Sequence, residues 1–202
     1  MEIQQRAVHA DLANYLPSLR ERVVGAVNVY KAKYDTALKR IHSKRSVASL
    51  IHDHIVHNMA EFAESTPGVS LCNSKNLHIL TFPEGYIIRF KKVGNSKLPS
   101  GWKTGQVKDF RNHRGLDGLP PAVCLDLSYQ LDAMGNLHAV YLICPAGVWS
   151  NMWDSELREE GARPVVVSLF GELTEPQGAT LLPKKKKDSG RETQSGDGDT
   201  GA

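Results

Sequence analysis

The chain has 202 residues, 41% apolar and 23% charged, ordinary globular composition with length for one sizeable core or two small ones. No apolar run approaches the roughly 20 residues of a membrane helix, and Met1–Leu19 has no basic start followed by an apolar core, so neither a membrane span nor a secretory signal is expected. The net charge of +3 hides a segregation: residues 89–114 carry eight basic groups and one acidic, residues 115–183 two basic and nine acidic.

The N-terminal third reads helical. Ser18-Leu-Arg-Glu21 has the form of a capping box, and Val23, Val27, Tyr30, Tyr34, Ala37 and Ile41 recur at three- and four-residue steps behind it, which predicts one long helix with a single apolar stripe. A second helix is expected over Ser46–Ser65, with Val47, Ile51, Ile55, Met59 and Phe62 inward and Pro67-Gly68 as its stop. The period then changes to two. Strands are expected at Val69–Cys72, Leu77–Phe82 and Tyr86–Val93, a polar loop at Gly94–Gly101, and a short helix from Thr104 to about His113. Beyond Pro120-Pro121, Val123–Leu131 and Leu137–Cys144 form a hairpin across Asp132–Asn136. Trp149–Leu157 is expected as a short helix or turn that packs two tryptophans, and Pro164–Phe170 as a last strand. From Pro183 the sequence loses apolar residues and should be disordered.

The expected fold is α+β or α/β: a helical N-terminal extension (1–45), a core (46–182) built on a mixed five- to six-stranded sheet, and a disordered tail (183–202). Cys72, Cys124 and Cys144 are odd in number, far apart and in strand-like runs, as expected of reduced, buried thiols in a cytoplasmic protein. No Gly-x-Ser-x-Gly elbow and no phosphate loop of the Gly-x-x-x-x-Gly-Lys type occurs.

The order from Ser46 to Leu131, α-β-β-β-α-β, resembles the core of the PD-(D/E)xK nucleases. That resemblance implies an acid on the second strand and Glu-x-Lys on the third, holding a divalent cation that activates water. Here Leu77–Phe82 has no carboxylate, and the third strand reads Arg89-Phe90-Lys91. Lys91 matches the family lysine, whereas Arg89 stands in the acid's place and repels a cation. The nearest carboxylates are Glu84 in the preceding turn and Glu61 and Glu64 on the preceding helix. A divergent Mg²⁺-dependent nuclease therefore rests on Glu61, Glu64 and Lys91.

The favoured reading is non-catalytic and needs no cofactor. Arg89, Lys91, Lys92, Lys97, Lys103, Lys108 and Arg111 follow one another with Trp102 among them, and cations interleaved with an aromatic suit phosphate contact and base stacking. The same basic strand is also what a half-buried strand with a wet face looks like. The partner is a nucleic acid or an acidic protein surface. A third reading is an antitoxin-like protein whose acidic half covers a basic enzyme, Trp149 and Trp153 serving as hot spots. The cadence is similar to small bacterial proteins carried with regulatory, mobile-element or defence gene pairs. Asp53, His54 and His57 make a further metal candidate, set against a plain polar helix face with carboxylate–imidazole pairs at i,i+4.

Overall fold

The computed structural model describes residues 3–74, 77–99, 104–116, 118–119 and 121–159. The strand expected at 164–170 and the tail from 183 lie outside the described residues. Within them the protein is α+β, with helices packed on a six-stranded mixed sheet.

Four helices precede the sheet: α1 (Gln5–Asp11), α2 (Leu16–Lys33), α3 (Thr36–Ile41) and α4 (Lys44–Ser65). The long helix expected from Ser18 to Ile41 is two. Tyr34 is extended at φ −105°, ψ 123°, and the Asp35 carboxylate accepts the Leu38 N–H at 2.7 Å. That side chain caps a new helix more favourably than the backbone continues the old one. Nor does Ser18 cap α2, which starts two residues earlier with Pro17 in its first turn, where a missing N–H costs nothing. Helix α4 follows the expected stripe. Ser43 caps it by accepting the Ser46 N–H at 3.1 Å, and Ile51, Ile55 and Met59 are fully buried, each contributing about 1.5–3 kcal/mol.

The sheet runs in chain order: β1 (Ser70–Ser74), β2 (Leu77–Thr81), β3 (Tyr86–Lys92), β4 (Val123–Leu131), β5 (Leu137–Pro145) and β6 (Asn151–Glu156). All pairings are antiparallel except β3–β4. A parallel pair needs a crossover, and α5 (Gly105–Arg111) lies within it, capped by Thr104, whose hydroxyl accepts the Val107 N–H at 3.3 Å.

One sheet face, with Leu80, Ile88, Phe90, Leu125, Leu127, Tyr129, Val140 and Leu142, packs beneath α1, α2 and α4. Val8, Leu12, Leu19, Val23 and Val27 from the first 45 residues belong to this same core. The opposite face is apolar at one end, where Leu77, Ile79, Ile87 and Cys124 meet Phe110 and Leu116. Further along, β3 and β4 turn polar with Arg89, Asp126 and Ser128, beside a small apolar cluster of Val93, Ala139, Tyr141 and Ile143.

The stretch expected as a helix or turn at Trp149–Leu157 is instead the edge strand β6. Its burial alternates residue by residue, the period of a half-covered strand. Trp153 is half-buried and donates from Nε1 to the Ile3 carbonyl at 2.8 Å, whereas Trp149 is 76% exposed, so the two do not form a common clasp.

A basic sheet end over a buried ion cluster

Period two puts Arg89 and Lys91 on the α5 face of β3. The parallel register sets Asp126 beside Arg89 and Ser128 beside Lys91. Arg111 enters from α5. The result is a buried cluster in which Arg89 and Arg111 are each 1% exposed and Asp126 is 0% exposed. Arg89 donates from Nε to Asp126 Oδ1 and from Nη2 to Oδ2 at 3.2 Å, and Arg111 donates from Nη1 to Oδ2 at 2.8 Å. Arg111 also donates from Nε to the Gly147 carbonyl (2.8 Å) and from Nη2 to the Ser150 carbonyl (2.9 Å) and Asn151 Oδ1 (2.8 Å). The Arg89 guanidinium lies over the Phe110 ring, 4.3 Å from its centroid.

This arrangement corrects the expectation for Arg89 and Arg111. Neither guanidinium is part of an open basic surface: Arg89 lies on the sheet face that α5 covers, Arg111 enters from α5, and Asp126 draws both inward. Lys97 is also engaged. Its ammonium sits 3.4 Å above the Tyr141 ring centroid and 3.1 Å from Asp154 Oδ1. Burial lowers the Lys97 pKa, but the bonds to Tyr141 and Asp154 outweigh it and raise it overall. The cationic and anionic halves of the sequence thus meet within the molecule, Arg89 and Arg111 on Asp126 and Lys97 on Asp154.

The other candidates divide. Trp102 and Lys103 lie outside the described residues. Lys108 is exposed on α5. Lys91 and Lys92 are half-buried at the carboxyl end of β3, on opposite faces, and neither makes a hydrogen bond or ion pair with a described residue. Burial lowers the Lys91 pKa first and Arg89 adds to the effect, with Asp126 opposing; burial and then Lys44 lower that of Lys92. Lys44 is there because the first half of α4 crosses this end of the sheet, where the Tyr129 hydroxyl donates to the Ala48 carbonyl at 3.3 Å. Arg45 follows it on the exposed first turn. On the same half of α4, His52 faces His78 of β2 with ring centroids 5.9 Å apart. Burial, then Lys91 and His78, hold His52 below the usual histidine pKa against Asp53.

The glutamates of the metal reading are elsewhere. Lys91 lies near His52, whereas Glu61 and Glu64 are on the last turns of α4, roughly 13 and 18 Å farther along the axis. Glu61 accepts from Arg22 Nη1 at 2.7 Å and lies 3.5 Å from His57 Nε2, and Glu64 is exposed. The fold does not bring these carboxylates to Lys91. Asp53 and His57 are exposed and His54 is half-buried, and among the described residues no group of three or more His, Cys, Asp or Glu stands together as metal ligands.

Sequence reasoning missed Ser128 as a member of the site. Asp126 was available as the lone acid within an apolar run, Val123–Leu127, since a carboxylate at a buried strand position needs a cationic partner. The described residues contain no helix long and apolar enough to cross a membrane. No protein-family model matches this chain, no curated protein matches it, and no solved structure matches it.

Proposed function

We propose that the protein binds nucleic acid without catalysis, through the carboxyl end of β3 and the first turn of α4. One observation carries the reading: Lys44 and Lys92 lie close together on the α4 face of that end, with Arg45 exposed beside them, and no acidic group is paired to them among the described residues. Like charges held together and partly desolvated are costly. A phosphate backbone relieves that cost and releases its own counterions. The element order α4-β1-β2-β3-α5-β4, the basis of the nuclease resemblance, favours nucleic acid over an acidic protein. A cytoplasmic setting belongs to this reading and is supported by three free thiols.

The test is fluorescence anisotropy of labelled single- and double-stranded DNA and RNA between about 50 and 200 mM salt, with and without EDTA. Binding should weaken with salt with a log–log slope of about −2 to −3, as expected for three neutralised phosphates. EDTA should leave it unchanged and no probe should be cleaved. Lys44→Glu with Lys92→Glu should weaken binding at least about tenfold, equivalent to ~1.4 kcal/mol. Unchanged affinity in that double variant refutes the reading. Cleavage that EDTA stops would replace it with the nuclease, and binding only to an acidic protein with the inhibitor.

A further inference from the structure

The buried cluster does not close in charge or in hydrogen bonds. Two guanidinium groups share one carboxylate, and Lys91 stands next to Arg89 on the same strand face. Arg89 spends Nε and Nη2 on Asp126, which leaves the third nitrogen of the planar guanidinium, Nη1, unused. Three buried side-chain atoms among the described residues lack a hydrogen-bond partner, and two of them are Arg89 Nη1 and Ser128 Oγ. Both belong to residues no more than 1% exposed. An orphaned buried donor costs about 1–3 kcal/mol, more when charged, and native proteins rarely keep two in one place without an occupant.

The register sets the footprint. Arg89 and Asp126 are paired across β3 and β4, and Lys91 and Ser128 are the next pair on the same face. Adjacent strands lie about 4.8 Å apart, and alternate residues about 6.6 Å apart along a strand. One corner of this block is the Asp126 carboxylate, already bound by both arginines. The residues at the other three carry a guanidinium nitrogen and a hydroxyl without a hydrogen-bond partner and, among the described residues, an ammonium without an ion pair. That is a donor set for a tetrahedral oxyanion, and its charge would offset the surplus of the cluster.

We propose that Arg89 Nη1, Ser128 Oγ and Lys91 Nζ form a seat for a single phosphate group, either free phosphate or the terminal phosphate of a nucleic acid. The seat is distinct from the Lys44–Lys92 surface and stands or falls separately.

The test titrates the full chain with inorganic phosphate at constant ionic strength, following the melting temperature and heat of binding, with chloride and sulfate as controls. A saturable 1:1 stabilisation by phosphate that chloride does not reproduce is expected. Ser128→Ala removes an orphaned hydroxyl, so without phosphate it should be at least as stable as the parent. Ser128→Ala and Lys91→Met should each weaken phosphate at least about tenfold, the loss of one hydrogen bond to a charged group. The Lys44→Glu/Lys92→Glu variant should keep the response, which separates this seat from the nucleic-acid surface. Tighter binding of a 5′-phosphorylated than a 5′-hydroxyl oligonucleotide, lost in Ser128→Ala, identifies a terminal phosphate as the source; equal binding of the two beside a response to inorganic phosphate identifies the free ion. No saturable response, a response matched by chloride, or one unchanged in both single variants overturns the proposal and leaves ordered water as the occupant.

Discussion

Asp126→Asn is the most informative single change in this molecule. It keeps shape and volume but removes the one negative charge between Arg89 and Arg111. The asparagine amide must also turn a donor toward a donor, because Asp126 receives three hydrogen bonds on its two oxygens. Breaking a buried ion pair from one side costs about 3–5 kcal/mol, and two guanidinium groups are stranded here. Against a total stability of about 5–15 kcal/mol, the loss is a large fraction. For a chain of this size each kcal/mol moves the melting temperature by about 2–4 °C, so a fall of roughly 6–20 °C is expected. Urea unfolding followed by circular dichroism and tryptophan fluorescence measures the free energy directly. The companion variant replaces the cluster with apolar groups: Asp126→Leu, Arg89→Met and Arg111→Leu together. It leaves no stranded charge and should be within about 2 kcal/mol of the parent or more stable. A loss below about 1 kcal/mol in Asp126→Asn would mean that water reaches the cluster and that its burial is not energetically real.

Two further outcomes follow from titratable groups. Burial holds His52 below the usual histidine value of 6.5, so in the window between its folded pKa and 6.5 the unfolded chain binds the extra proton. Stability should therefore fall as pH drops through that window and level off below the folded pKa. His9 is depressed by burial in the same direction. The pH slope should flatten in His52→Gln with His9→Gln, and an unaltered slope in chemical denaturation refutes the assignment. Burial also pushes the Cys124 and Cys144 thiols up to about 12, while Cys72 is only half-buried. Since the thiolate is the reacting form, thiol labelling of the folded chain should modify Cys72 first and reach the other two only on unfolding. Equal rates for all three would show that the β4–β5 core opens readily.

Much of the fold could be read along the chain because its signals are local. The Ile51, Ile55, Met59, Phe62 stripe defines α4 without reference to anything distant, although the helix begins at Lys44 behind a Ser43 cap, two residues before the expected Ser46, and period-two runs mark β2, β3, β4 and β5. Where local signals competed, the reading failed. Asp35 interrupts an apolar stripe that continues past it, because a cap outweighs pattern there. Two tryptophans four apart suggested a helix, but residues 151–156 gain a strand ladder from β5 that no local window contains.

The candidate site was legible only in part. The surplus of lysine and arginine over residues 89–114 is a property of the sequence, as is the absence of an acid on the second strand. Which cations face water is not. That depends on α5 returning over the sheet, on the parallel register that sets Arg89 beside Asp126 and Lys91 beside Ser128, and on α4 carrying Lys44 to the end of β3. The sequence by itself determined α4, the strands β2 to β5 and the amount of charge. The tertiary structure decided where that charge is spent: Arg89 and Arg111 inward on a shared carboxylate, Lys97 on Asp154, Lys91 and Lys92 without an ion pair among the described residues. The physical reason is that burial and pairing are relations between residues distant in the chain, whereas composition and periodicity are sums over neighbours.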